Sequence, residues 1–350
     1  MKIEEPTPLV SNNHNGSCNG ITVKNGFSDV PSQKNILFLK PMEQSCKNIK
    51  QVLENDCTNR YQSAKLTDIN SRKKNYLLES EMELSQYFGM KYALGVCSGG
   101  MAIMLGLKAI KRVMIGADIA DSSIRVYSNS FTFNAVPSAI YNAGFNPVLI
   151  ETTPELTIDL EDLEEQLKND YNIGFKGKMV LVLSYMRARI PDMDEINRLC
   201  KTYECILLED NAHGKIYIDL GELSYLKKLT QFENLLDYRF LFEIYSGYGC
   251  EWNGKKIGSF GVVSTISTQS NKLINTGEGG YIFTNNPSMM AFFMFSAGCY
   301  ESLYEKHETM CPPIDILQKF RFSVPNYSCR MTNIQGSMIC EQIHVLQQRK

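Results

Sequence analysis

The sequence predicts an α/β protein built on a mostly parallel sheet sandwiched by helices, and three observations carry that prediction. From residue 76 onward, short apolar runs alternate with stretches of helical periodicity. Two of the runs, Met179-Val180-Leu181-Val182-Leu183 and Cys205-Ile206-Leu207-Leu208, are apolar on both faces, as strands covered on both sides require. A chain of 350 residues with 43% hydrophobic content is long enough for one large core plus an appendage.

Taken in order, residues 1–35 are rich in Asn, Ser, Gly and Pro, lack apolar periodicity and read as a disordered tail. The first clear helix covers 76–88, where Leu77, Leu78, Met82, Leu84 and Phe88 recur at helical spacing. Strand 92–96 leads through glycines into a helix over 101–110, and 124–127 and 147–150 are further strands. A helix over 192–203 separates strand 179–183 from the run at 205–208, which stops at Glu209-Asp210. The runs 261–266 and 280–284 complete the series, so 36–300 form the large domain and 301–350 begin a C-terminal segment.

Composition narrows the function. A net charge of -2 gives no basic surface for nucleic acid. No apolar run approaches the ~18 residues of a membrane span, and the acidic start Met1-Lys2-Ile3-Glu4-Glu5-Pro6 lacks the apolar stretch of a signal peptide. The 11 cysteines include no C-x-x-C pair, which suits reduced thiols in a cytoplasmic protein better than disulfides or zinc. His14, His213, His307 and His344 are too scattered for a metal site.

Four segments hold the candidate chemistry, each where a strand gives way to a loop and ligands of such sheets gather. Cys97-Ser98-Gly99-Gly100-Met101-Ala102 is a glycine turn opening a helix, and its free N–H groups make a phosphate seat; the competing reading is a purely structural turn. Ser130-Phe131-Thr132-Phe133 places an aromatic that either stacks on a flat ring or packs in the core. In Glu209-Asp210-Asn211-Ala212-His213 a carboxylate ends a central strand, where it either holds a pyridine nitrogen protonated or caps a helix. The fourth, from Ser267 through Lys272 to Gly277-Glu278-Gly279-Gly280, sets a lysine among hydroxyls and glycines. A lysine amine forms a Schiff base only when deprotonated, which burial and nearby positive charge promote, and the hydroxyls of Ser267 and Ser270 can donate to a phosphate on the same loop.

In the order and spacing of these segments, together with Asp192-Met193-Asp194, Gly258-Ser259-Phe260-Gly261 and Arg330-Met331-Thr332-Asn333-Ile334-Gln335, the chain resembles the DegT/DnrJ/EryC1/StrS sugar aminotransferase family from about residue 64 to 348. That resemblance implies the fold-type I transferase architecture and pyridoxal 5'-phosphate as cofactor. It makes Lys272 the Schiff-base lysine, pairs Asp210 with the pyridinium nitrogen and sets His213 beside the ring. It stacks Phe133 on the ring face and gives the phosphate to Ser98, Gly99, Gly100 and Ser267. It also implies transfer of an amino group from an amino acid, glutamate or glutamine, to a keto-sugar that is usually nucleotide-linked, in a homodimer with sites at the subunit interface. The family's dehydratase branch lacks the lysine, so Lys272 points to aminotransfer.

The sequence departs from the family in three places. Residues 214–245 interrupt the pattern: removing them joins Ala212-His213 to Ser246-Gly247 as the family continues. Leu223, Leu226, Leu229, Phe232 and Leu235 recur every third residue, so the segment reads either as an amphipathic helix over the site or as a retained intron. The chain stops at Lys350, before most of the small domain the family carries, and is expected to be truncated. Finally, Ser184-Tyr185-Met186-Arg187-Ala188-Arg189 replaces the commoner His-Leu-Tyr-Gly, and Ser328 stands where many members have Asn. Tyr185, Arg187, Ser328 and Arg330 are the candidate substrate contacts. The alternative function is that of a non-catalytic relative that binds cofactor or partner proteins.

Overall fold

A computed structural model describes residues 43–65, 68, 70–213, 250–270, 272, 274–307 and 310–348. The expected tail at 1–35 and the interrupting segment 214–245 lie outside these residues.

The core is a seven-stranded sheet. Its strands are β1 (Tyr92–Val96), β2 (Arg125–Asn129), β3 (Pro147–Ile150), β4 (Met179–Ser184), β5 (Cys205–Asp210), β8 (Val263–Ser267) and β9 (Gly280–Thr284), in the spatial order β1-β9-β8-β5-β4-β2-β3. A small hairpin, β6 (Glu251–Trp252) with β7 (Lys255–Lys256), stands apart. Within the seven-stranded sheet only β9 runs against its neighbours, antiparallel to both β1 and β8; the other pairings of that sheet are parallel. The mostly parallel α/β architecture expected of the sequence is therefore the architecture of the protein.

Every residue of β4 is buried, as two-sided cover demands. One face is covered by α3 (Gly99–Ile110), where Gly106 lets the helix settle against Leu208 and Val263. Beside α3, against β1 and β9, lies α7 (Pro287–Ala297), apolar all round and buried from Met289 to Ala297, as a helix enclosed by protein should be. Asn286 caps its start and left-handed Gly298 ends it. On the other face, α5 (Leu160–Asp170) and α6 (Met193–Thr202) bury Leu163, Leu167, Met193, Ile196 and Leu199 beneath β4 and β5.

At the β1 edge, α9 (Asn333–Gln348) packs against α1 (Glu43–Glu54) and against α2 (Tyr76–Phe88), the latter closely enough that a Cβ on Gly336 would lie 2.4 Å from the Leu77 backbone. The Asn333 side chain bonds the backbone of Leu77, Cys57 and Lys74. The buried Arg60 guanidinium pairs with Glu81, whose other oxygen accepts the Gly95 N–H of β1 at 2.6 Å. Residues 310–348 thus build onto the same body as the sheet.

Most elements fall where the sequence places them, with one instructive exception. The apolar run begins at Gly261, yet β8 begins only at Val263; the Gly261 N–H donates to Glu209 Oε2 at 2.6 Å, and the Val262 N–H makes the first backbone bond to β5, at Leu207 O. Helices α4 (Ala135–Asn142), α5, α7 and α8 (Ile314–Phe320) add to those read from the sequence. No helix among the described residues is long and apolar enough to cross a membrane.

Candidate active site

The carboxyl ends of β1, β5 and β8 and the start of antiparallel β9 meet at one edge of the sheet, around a cavity of about 180 Å³. Its walls include Ser98, Gly99, Gly100, Phe133, Asp210, His213, Ser267 and Lys272, which are the eight cofactor residues expected from the sequence.

Glycine makes the meeting possible. A Cβ on Gly280 would lie 2.6 Å from Gly99 N and 2.8 Å from Ile266 O, so no other residue fits without moving three segments. At the same corner Ser98 caps α3, its hydroxyl accepting the Met101 N–H at 3.1 Å. The first N–H groups of α3, at Gly99 and Gly100, have no partner within the helix and border the cavity. Ser267 borders it from the end of β8, whereas Ser270 lies outside on an exposed turn, its N–H bonded to Gly277 O.

Asp210 ends β5 and is buried. Its Oδ2 accepts the Ser184 hydroxyl at 2.8 Å and its Oδ1 the Ala212 N–H at 3.3 Å. Burial pushes its carboxyl above the usual range, while Ser184, Ala212 and the Lys272 charge pull it back. Asp210 borders the cavity, and the stretch after His213 in which a helix capped by Asp210 would lie is outside the described residues.

Lys272 is 8% exposed, on a tight turn in which its own N–H donates to Gln269 O. Burial brings its ammonium down to about 8, against the opposing effect of Asp210. His213 is pushed down to about 4, first by burial and then by the charges of Lys272 and Arg187, so it is neutral at physiological pH. Its Nδ1 sits 3.2 Å from Met186 Sδ, and Met186 is itself a cavity wall. Phe133 is 53% exposed beside the cavity, which rules out core packing as its purpose.

The four candidate substrate residues stand outside the cavity wall. Tyr185 is fully buried and donates to Glu209 Oε1 at 2.6 Å, because the chain turns its side chain under the sheet edge. Ser328 sits in a left-handed turn with its N–H on Asn326 Oδ1, and Arg330 donates to Gly298 O and lies over the Tyr300 ring. Arg187 stands close enough for its charge to act on His213.

Sequence reasoning passed over Met186, Gln269 and Glu278 in the wall, and Glu209 behind it. The Glu209 carboxylate accepts from Tyr185 and from the N–H groups of Gly258, Phe260 and Gly261, which ties the Gly258-Ser259-Phe260-Gly261 turn to β5. The doubled acid at a strand end was the available signal.

This donor set fits pyridoxal 5'-phosphate. Helix-start N–H groups and a serine could hold a phosphate, a buried carboxylate could pair with a ring nitrogen, and a desolvated amine lines the same cavity.

Comparison with known proteins agrees with this geometry. GDP-perosamine synthase of Caulobacter vibrioides is 24% identical over 269 residues, covering 77% of this chain and 56% of that protein. GDP-4-keto-6-deoxy-D-mannose 3-dehydratase of Escherichia coli O55:H7 is 24% identical over 280 residues, covering 77% and 60%. The chain therefore spans little more than half the length of these relatives. Among solved structures, 3-amino-5-hydroxybenzoic acid synthase superposes with a TM-score of 0.63 at 17% identity, over 90% of this chain and 64% of that one. PseC of Helicobacter pylori, an aminotransferase involved in the biosynthesis of pseudoaminic acid, gives 0.61 at 17%, over 87% and 63%. These superpositions establish the fold. The sequence profile that matches residues 53–223 and 219–350 establishes the kinship: the chain belongs to the DegT/DnrJ/EryC1/StrS aminotransferase family.

Proposed function

We propose that this protein binds pyridoxal 5'-phosphate on Lys272 and transfers an amino group from glutamate or glutamine to a keto-sugar, usually nucleotide-linked, as a cytoplasmic homodimer. The observation that carries the reading is the pairing of a buried carboxylate, Asp210, with a burial-depressed amine, Lys272, in one cavity at the carboxyl edge of the sheet. The relatives support the sugar: GDP-perosamine synthase and a transaminase named for a UDP-linked 4-amino-4,6-dideoxy sugar both concern nucleotide-linked sugars.

When bound, the cofactor supplies an electron sink and a carrier for the amino group. The protein's residues supply the rest. Gly99, Gly100 and Ser267 hold the phosphate, and Asp210 keeps a proton on the ring nitrogen. Neutral His213 flanks the ring without adding a second positive charge beside it, and Phe133 covers a ring face. At neutral pH a sizeable fraction of Lys272 is the free amine, which attaches the cofactor. With the amino donor bound, Lys272 Nζ would be the base that takes the proton from the donor's α-carbon and hands it on. Lys272 also favours aminotransfer over dehydration.

The test is a single-turnover half-reaction. Mixing cofactor-loaded protein with glutamate or glutamine should abolish the visible absorbance of the lysine-bound cofactor, and Lys272→Ala should show no such band. A loaded parent protein indifferent to both donors would contradict the reading in favour of a non-catalytic relative.

A further inference from the structure

Asp210 does not hold its orientation alone. β4 and β5 pair in parallel with Ser184 directly opposite Asp210, so both side chains stand on the same face at the sheet's carboxyl edge. The Ser184 hydroxyl donates to Asp210 Oδ2 at 2.8 Å. Ser184 is in turn gripped by Asn129, the last residue of β2, although the β2–β4 ladder has ended one pair earlier at Ser128 and Val182. The Asn129 amide continues that ladder with its side chain: Nδ2 donates to Ser184 O at 2.7 Å, and Oδ1 accepts the Ser184 N–H at 3.1 Å. Asn129, Ser184 and Asp210 are all buried, at 2%, 4% and 6% exposure.

An amide spent on both backbone groups of one residue fixes that residue's backbone, and through it the direction of its hydroxyl. The hydroxyl has one proton to give and gives it to Asp210. The arrangement has a definite electrical sense. Desolvation disfavours the charged carboxylate, and a donated O–H restores it. Oδ2 is thereby committed to Ser184, while among the described residues Oδ1 accepts the Ala212 N–H, at 3.3 Å, and Asp210 borders the cavity.

We infer that Ser184, held by Asn129, is a positioning residue that keeps Asp210 ionised and turns Oδ1 towards the ring nitrogen of the cofactor. The inference rests on the pyridoxal-phosphate reading and goes beyond it by assigning the control of that nitrogen's proton to two residues outside the cavity wall. The charged and titratable groups facing Asp210 are Lys272, from the loop after β8, and the Tyr185 phenol, from the loop after β4. His213 and Arg187 stand next along, and both remain in place in the variants below.

The experiment titrates pyridoxal 5'-phosphate into the full chain and follows the visible band, for parent, Ser184→Ala, Ser184→Thr, Asn129→Ala and the Ser184→Ala/Asn129→Ala double variant. A lost hydrogen bond to a buried charge predicts a dissociation constant raised about tenfold or more in Ser184→Ala. It also predicts that the acid limb of the band's pH profile moves upward, since Asp210 then takes a proton more readily. Ser184→Thr, which keeps the hydroxyl, should restore both. Asn129→Ala should weaken binding alone but add little in the Ser184→Ala background, because it acts through Ser184. Ser184→Ala protein with parental affinity and an unmoved acid limb would overturn the inference while leaving the cofactor reading intact. A parent with no band would sink both. If Ser184→Ala does not fold, Asn129→Ala with parental affinity and acid limb overturns the inference in its place.

Discussion

At the scale of single residues, burial rather than a neighbouring cation prepares Lys272. The sequence allowed either cause; in the structure the charge that acts on the amine is the Asp210 carboxylate, which works the opposite way. Because only the neutral amine attacks a carbonyl, the rate of cofactor attachment should rise with pH and level off above about 8, which stopped-flow absorbance would show. A rise continuing to about 10.5 would mean that the amine is solvated as in water. His213 should titrate near 4 by NMR, so activity changes between pH 5 and 7 belong to other groups. Lys272, Asp210 and the glycines were legible because their chemistry leaves few substitutes. Tyr185 misled because its orientation depends on a loop in which Arg187 and Ala188 both take left-handed backbone at φ 51° and 58°. That conformation is signalled in sequence by glycine or asparagine, and neither is present.

At the scale of elements, the strands were legible wherever apolar runs were buried on both faces, as in β4 and β5. The start of β8 was not, because the Gly261 N–H turns to the Glu209 carboxylate and the pairing with β9 begins only at Val263. Nor does periodicity reveal that β9 runs backwards, since an antiparallel strand buried between two neighbours looks like a parallel one. Glu209 joins the turn at 258–261 to β5 through three backbone N–H groups. Glu209→Gln places an amide donor against some of them, so it should cost about 2–4 kcal/mol. Urea unfolding would read this as a lower midpoint at unchanged slope. A loss below about 0.5 kcal/mol would mean that the turn is held by other contacts.

At the scale of the molecule, cofactor and fold should support each other. A ligand bound only by the native state at a hundred times its dissociation constant stabilises by about 2.7 kcal/mol. Saturating pyridoxal 5'-phosphate should therefore raise the melting temperature by about 5 °C, and by less in Lys272→Ala, which loses the covalent bond. An unchanged melting temperature at saturation would mean that the cavity does not take the cofactor. The order and spacing of segments made the architecture and the kinship readable across most of the chain. The acceptor sugar was not readable, because the residues that differ from the family, at 184–189 and 328, build the frame around the cavity more than its wall; Met186 is the exception.

The most direct test of the central claim is borohydride reduction of the cofactor-loaded protein, followed by peptide mass mapping. The account predicts one pyridoxyl-phosphate adduct, on Lys272, that disappears in Lys272→Ala. Adducts scattered over surface lysines with Lys272 unmodified would contradict it.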